Sequence, residues 1–226
     1  LIDREGGRDP FGAGLFASTE MFIDQILDLY RVGILRRRVY DSLPLERLLA
    51  SGEVTERYDE HLLEKLTTVG VGPQLSAEEF ERLQYFGVFR RDIEFDEGRM
   101  RAAGEKWVEA DLSSPTARAR IAETCMGREL RNGQVLHAGF FLGPRGFYAA
   151  LRELPENERA QFGMRGVGYV NQLYGPDQEL RILQRRHSRF VNTTMMVTLL
   201  GAAVSDALDD GRVVSGVGGQ YNFVSM

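Results

Sequence analysis

Short apolar strands alternating with amphipathic helices, interrupted once by a long helical stretch, constrain this chain more than any other feature. After a loop-like opening with Gly6, Gly7 and Asp9-Pro10, a short apolar run leads into a helix expected over residues 20–32. Its apolar positions Phe22, Ile23, Ile26, Leu27, Leu29 and Tyr30 recur at helical spacing, with Gly33 as the stop. Beyond residue 127 strands are expected at 135–142 and 167–173, a strand or buried segment at 190–199, and a last strand at Val213-Val214. Helices are expected at 146–154 and 176–188. Such alternation predicts an α/β fold, a largely parallel sheet flanked by helices.

Residues 44–127 read differently. They are charged and helix-patterned, and Ser76-Ala77-Glu78-Glu79 has the form of a capping box at a helix start. The expected organisation is an α/β domain of residues 1–43 and 128–226, with 44–127 as a mainly helical insertion or subdomain.

The 226 residues are 43% apolar and 27% charged, ordinary values for a globular chain. A net charge of −5 gives no reason to expect a nucleic-acid partner. One cysteine, Cys125, excludes an internal disulfide and a multi-cysteine metal site, and no metal is expected. The longest nearly apolar stretch, 195–204, is about half the length of a bilayer-spanning helix, so no membrane partner is expected. With no signal peptide in view, the expectation is a soluble cytoplasmic protein. Leu1 is not an initiator methionine and Met226 follows directly on a glycine-rich turn, so the chain is expected to be cut from a longer one.

Chemistry is expected at the two ends. Gly216, Gly218 and Gly219 follow the apolar run Val213-Val214, and closely spaced backbone N–H groups there could hold a developing oxyanion. A tight turn is the plainer reading of the same residues. Glu20, placed at a helix start, complements the helix dipole; a carboxylate at a strand end is also what covalent carboxylate catalysis needs. No G-x-S-x-G elbow, P-loop, H-E-x-x-H or C-x-x-C motif is present, and Gly216-x-Gly218 lacks the rest of a dinucleotide fingerprint.

The segment Ser18-Thr19-Glu20-Met21-Phe22-Ile23-Asp24, continuing to Gly33, resembles the nucleophilic-glutamate region of the acetyl-CoA hydrolase/transferase family, class I CoA-transferases. Residues 215–223 resemble that family's Gly-Val-Gly-Gly-Gln stretch, Phe190-Val191-Asn192-Thr193 its Asn-containing strand, and Asn171 an asparagine near the reacting groups. Tyr221-Asn222-Phe223 departs from the pattern, standing where an aspartate is expected before the Phe. The resemblance covers residues 11–43 and 134–226 and implies the catalytic C-terminal half of such an enzyme. It implies catalytic roles for Glu20, Gly218, Gly219 and Asn171, and substrate contacts from Gly216, Val217, Gln220 and Asn192. It further implies a coenzyme A thioester as substrate with no tightly bound cofactor, and a small carboxylate or water as acceptor. An N-terminal domain of the same chain and a homodimer are the implied partners. The competing expectation is a non-catalytic binding or assembly homologue.

Other residues carry plainer expectations. Arg181, Arg185, Arg186 and Arg189 with His187 read as a solvated basic helix face, with CoA phosphates as the alternative. His137 reads as a structural histidine within a strand, His61 as a surface residue, and Cys125 and Met195-Met196 as core. Gly143-Pro144-Arg145-Gly146 reads as a strand-to-helix turn.

Overall fold

The computed structural model describes Gly12, residues 14–172 and residues 174–216. Three parallel strands form the sheet that organises both ends of the chain: β1 (Ala17–Phe22), β5 (Leu136–Phe141) and β6 (Phe162–Met164), in the order β1-β5-β6. Ala17 pairs with Leu136 and Phe22 with Phe141, so β1 and β5 run in register over their full length. The expected mixed α/β fold with a parallel, helix-flanked sheet is the one observed.

Between β1 and β5 the chain builds α1 (Asp24–Arg31), α2 (Leu43–Ser51), α3 (His61–Thr68) and α4 (Ala77–Tyr85). A small antiparallel sheet follows, of β2 (Glu94–Asp96), β3 (Arg99–Arg101) and β4 (Val108–Glu109), and then α5 (Pro115–Thr124). Beyond β5 come α6 (Arg145–Glu153), α7 (Glu156–Arg159), β6, α8 (Val167–Asn171), α9 (Gln178–Gln184) and a two-stranded ribbon of β7 (Met196–Val197) and β8 (Ala203–Val204).

Local chemistry accounts for the element ends. At α4 the Ser76 hydroxyl accepts from the Glu79 N–H at 3.2 Å while the Glu79 carboxylate accepts from the Ser76 N–H at 3.0 Å, the reciprocal capping box anticipated from the sequence. Helix α1 opens on Asp24 and stops at Gly33, whose φ of 74° suits glycine. The β2–β3 turn uses Glu97 and Gly98, both at positive φ, matching the strand twist of a tight hairpin.

Two apolar cores form. Phe22, Leu27, Leu35, Val135, Leu136, Ala138, Phe147 and Phe162 pack β1, β5 and β6 against α1 and α6. A larger cluster runs from Tyr40 to Leu130, centred on Leu48 of α2, Leu63 and Leu66 of α3, Phe80 of α4, Met100 of β3 and Ile121 of α5, with Cys125 buried in it. Helix α9 ties the second cluster to the sheet side. Arg47 of α2 holds Glu179 through two hydrogen bonds of 2.7 and 2.8 Å, and Gln184 donates to the Tyr40 carbonyl at 3.0 Å.

Several expectations need correction. Residues 20–22 belong to β1, so α1 starts at Asp24 and Glu20 lies outside it. Residues 167–171 are the short helix α8 rather than a strand; the strand lies earlier, at β6. Residues 190–199 are neither buried nor a long strand: Val191 is 70% exposed, Met195 is exposed, and only Met196-Val197 pair with another strand. Val213 makes a single bridge to Ala207 and forms no strand. The 44–127 stretch, read as mainly helical, holds α3, α4, α5 and most of α2 together with the short β2-β3-β4 sheet. No helix among the described residues is long and apolar enough to cross a membrane.

Leu63 lies fully buried at the centre of the larger cluster. Leu63→Ala is therefore expected to lower unfolding free energy by about 2–5 kcal/mol, read by urea denaturation, and to speed amide exchange in α2 to α5. A loss below 1 kcal/mol, on the order of a surface change, would contradict this placement.

Candidate functional site

The site is built where a helix lies close against the C-terminal half of β1. Side chains alternate along a strand, so Ser18 and Glu20 share one face, and the register sets Glu20 beside Gly139 of β5. At Gly139 an added Cβ would lie 2.8 Å from a Val167 methyl and 3.0 Å from the Glu20 carbonyl oxygen. Only glycine admits this approach, which lays α8 across β1 and β5. Asn171, the last residue of α8, then donates its Nδ2–H to Oε1 of half-buried Glu20. A hydrogen bond to a carboxylate is stronger than a neutral one and fixes the carboxylate's orientation.

A polar layer continues away from this pair. His137 on β5 is buried, and its Nε2 lies 3.0 Å from Oε1 of Gln134. Arg165 donates to that same oxygen at 2.8 Å and also to the Asp41 carboxylate. Since Gln134 Oε1 only accepts, His137 Nε2 carries the proton and donates. Phe16 and Tyr169 meet the imidazole edge-on at ring separations of 5.0 and 5.7 Å. Burial, then the Arg165 charge, lowers the His137 pKa from 6.5 to about 4, so the ring is neutral at pH 7. Glu46 of α2 accepts the Tyr40 N–H at 2.6 Å, and burial raises its pKa to about 7. Ser18 Oγ is buried without a hydrogen-bond partner among the described residues.

The basic run on and after α9 is solvated in part, with Arg186, His187 and Arg189 exposed, while Arg181 and Arg185 turn inward. Arg181 is 4% exposed and donates to the Gln172 carbonyl at 2.9 Å; Arg185 donates to the Val170 carbonyl at 3.2 Å; Arg186 reaches the Ala50 carbonyl. Arg189 alone turns back onto its own neighbours, the His187 and Ser188 carbonyls. His61 is exposed, as expected.

Of the residues singled out in the sequence, Glu20 and Asn171 are brought together. Asn192 lies in the exposed stretch between α9 and β7, and Gly216 is exposed at the end of the described chain. Val217, Gly218, Gly219 and Gln220 lie outside the described residues. Sequence reasoning missed Gly139, Ser18 and the arginines' carbonyl partners. A glycine between His137 and Phe140 in a predicted strand was the signal for a close backbone approach. Among the described residues no cluster of acidic, histidine and cysteine side chains could hold a metal.

Residues 143–226 match the model of the acetyl-CoA hydrolase/transferase C-terminal domain. The matched span holds Asn171, Asn192 and the glycine-rich end; Glu20 lies upstream of it. No curated protein and no solved structure matches the chain.

Gly139→Val is expected to push α8 off the sheet, costing on the order of 1–3 kcal/mol by overpacking and accelerating amide exchange in residues 167–171. Unchanged stability and exchange would contradict the close approach. Two buried groups oppose each other in pH dependence. Neutral His137 makes stability rise with pH between about 4 and 6.5, because only the unfolded chain takes up that proton. Glu46, which keeps its proton when folded, makes stability fall with pH between 4.5 and about 7. Glu46→Gln should therefore uncover a histidine slope of at most about 1.4 kcal/mol per pH unit, absent in the Glu46→Gln, His137→Gln double variant. Identical slopes in the two variants would refute the assignment.

Proposed function

We propose that this chain carries the reacting carboxylate of an acyl-CoA:carboxylate CoA-transferase or acetyl-CoA hydrolase, and that Glu20 is that carboxylate. The family match supports CoA-transferase or acetyl-CoA hydrolase chemistry in general. The observation that carries the finer reading is the hydrogen bond from Asn171 to Glu20 on the parallel sheet. It joins a residue inside the matched span to the carboxylate upstream of it.

In the proposed reaction Glu20 attacks the thioester carbonyl of an acyl-CoA, expelling CoA thiolate and leaving an acyl-glutamyl anhydride. The thiolate attacks the glutamyl carbonyl of the anhydride, releasing the acyl group as its carboxylate and forming a glutamyl-CoA thioester. An incoming carboxylate reverses these steps and leaves as the new acyl-CoA, restoring Glu20. With water as acceptor, hydrolysis of the glutamyl thioester restores Glu20 and frees CoA. Asn171 holds the carboxylate in an attacking orientation and, as a donor, can follow charge developing on the glutamyl oxygen. Backbone N–H groups of Gly218 and Gly219 are proposed for the thioester oxyanion, with Gly216, Val217, Gln220 and Asn192 in the substrate contacts. The substrate is a CoA thioester, with no tightly bound cofactor in the scheme.

The proposed domain division is an α/β unit of residues 1–43 and 128–226 with 44–127 inserted, supported by the two separate apolar cores. Because the matched model is of a C-terminal domain, an N-terminal domain is proposed as the partner that completes the pocket.

Peptide mass spectrometry of the full-length protein, after incubation with acetyl-CoA and borohydride reduction, tests the mechanism. Reduction at Glu20 is expected, together with loss of turnover in Glu20→Gln and a fall in kcat of about 10-fold or more in Asn171→Ala. Unmodified Glu20 in protein that binds CoA would leave the binding homologue as the reading.

A further inference from the structure

We propose that Arg181 and Arg185 are positioning residues for the Glu20–Asn171 pair, held in place through α9 by the helical insertion. The inference rests on the reading of Glu20 as the reacting carboxylate. It starts from the weakness of α8. Five residues are too few for a helix to hold itself, and the final carbonyls of any helix lack intrahelical partners.

Two of the carbonyls around Asn171 are taken by guanidinium groups. Arg185 donates to the Val170 carbonyl, one residue before Asn171, and Arg181 to the Gln172 carbonyl, one residue after it. The Arg181 guanidinium also lies 5.2 Å from the centre of the Tyr169 ring, whose environment further includes Arg165 at 5.4 Å. Asn171 is thus bracketed on both sides by cations at a helix C-terminus, the end at which positive charge is favoured.

Both arginines come from α9 or its cap, and α9 is fastened from the insertion side. Arg47 of α2 grips Glu179, Arg186 reaches the Ala50 carbonyl at the end of α2, and Gln184 donates to the Tyr40 carbonyl and, at 3.2 Å, to Asp41. A continuous set of contacts runs from α2 through α9 and the two arginines to Asn171 and Glu20. The insertion acquires a role in the site without touching the reacting atoms. At position 181 arginine is required because lysine lacks the planar fork that serves a carbonyl and an aromatic face together, and at 185 because lysine lacks the rigid fork aimed at the Val170 carbonyl.

The test uses the full-length protein with acetyl-CoA. Arg181→Lys and Arg185→Lys are each expected to lower kcat by about 10- to 100-fold, with KM changed less than about threefold. In an Asn171→Ala background Arg181→Lys should lower kcat no further, since it acts through Asn171; a full additional loss would overturn the proposal. The second readout is the pair of Asn171 side-chain amide resonances, identified by their absence in Asn171→Ala. In Arg181→Lys they should move toward their positions in Glu20→Gln; unmoved resonances in the folded variant would overturn the proposal. Should Arg181→Lys fail to fold, Arg185→Lys and the surface variant Arg47→Ala decide by the same resonances. Absence of Glu20-dependent turnover in the unaltered protein would sink the proposed function, while the resonances still decide the positioning.

Discussion

The parallel pairing of β1 with β5 is the constraint on which the rest of this structure depends. Because the register is fixed from Ala17↔Leu136 to Phe22↔Phe141, a shift of one residue would turn Phe22 out of the apolar core and Glu20 away from α8. The same register puts a residue without a side chain, Gly139, where α8 must cross. Strand order, core composition and the Glu20–Asn171 contact are consequences of one alignment.

On the other side of α8 the structure exchanges apolar packing for satisfied polar groups. Asp41, Gln134, His137, Arg165 and Gln184 form a hydrogen-bonded layer in which His137 and Gln184 are buried and Asp41 and Arg165 are partly exposed. Such layers are costly when a member is lost, because the remaining group stays buried without its partner.

Much of the fold was legible in the sequence, and the reasons for the failures are physical. Strand β5 and helix α6 announce themselves through apolar periodicity, and the Ser76 capping box through local chemistry alone. The run Met21-Phe22-Ile23 fits a strand or a helix equally, and the strand wins through pairing with a segment far away in sequence. Val167-Gly168-Tyr169-Val170 has strand composition, yet packing over Gly139 and the arginines at its end holds it as a helix. The small antiparallel sheet was hidden because Glu94, Arg99 and Arg101 give it a charged outer side, although Glu97-Gly98 is a fair turn signal. At the site, Glu20 and Asn171 were singled out through the family resemblance, and the structure joins them by a hydrogen bond. The inward turn of Arg181 and Arg185 was not legible, since their partners are backbone carbonyls, which no sequence displays. The glycine-rich end lies outside the described residues.

The crossover between the two central strands has a kinetic meaning. β1 and β5 are neighbours in space but are separated by residues 23–135, which include the whole of the larger core. Closing so long a loop from a disordered chain carries an entropic cost that only the finished sheet repays, and non-local pairings of this kind form slowly. The Val39–Gln134 bridge closes the segment between them and shortens the effective loop from residues 23–135 to residues 23–39 and 134–135. The order this favours is the core of residues 40–130 first and the parallel sheet second, so that Glu20 and Asn171 meet in a chain whose middle has already folded.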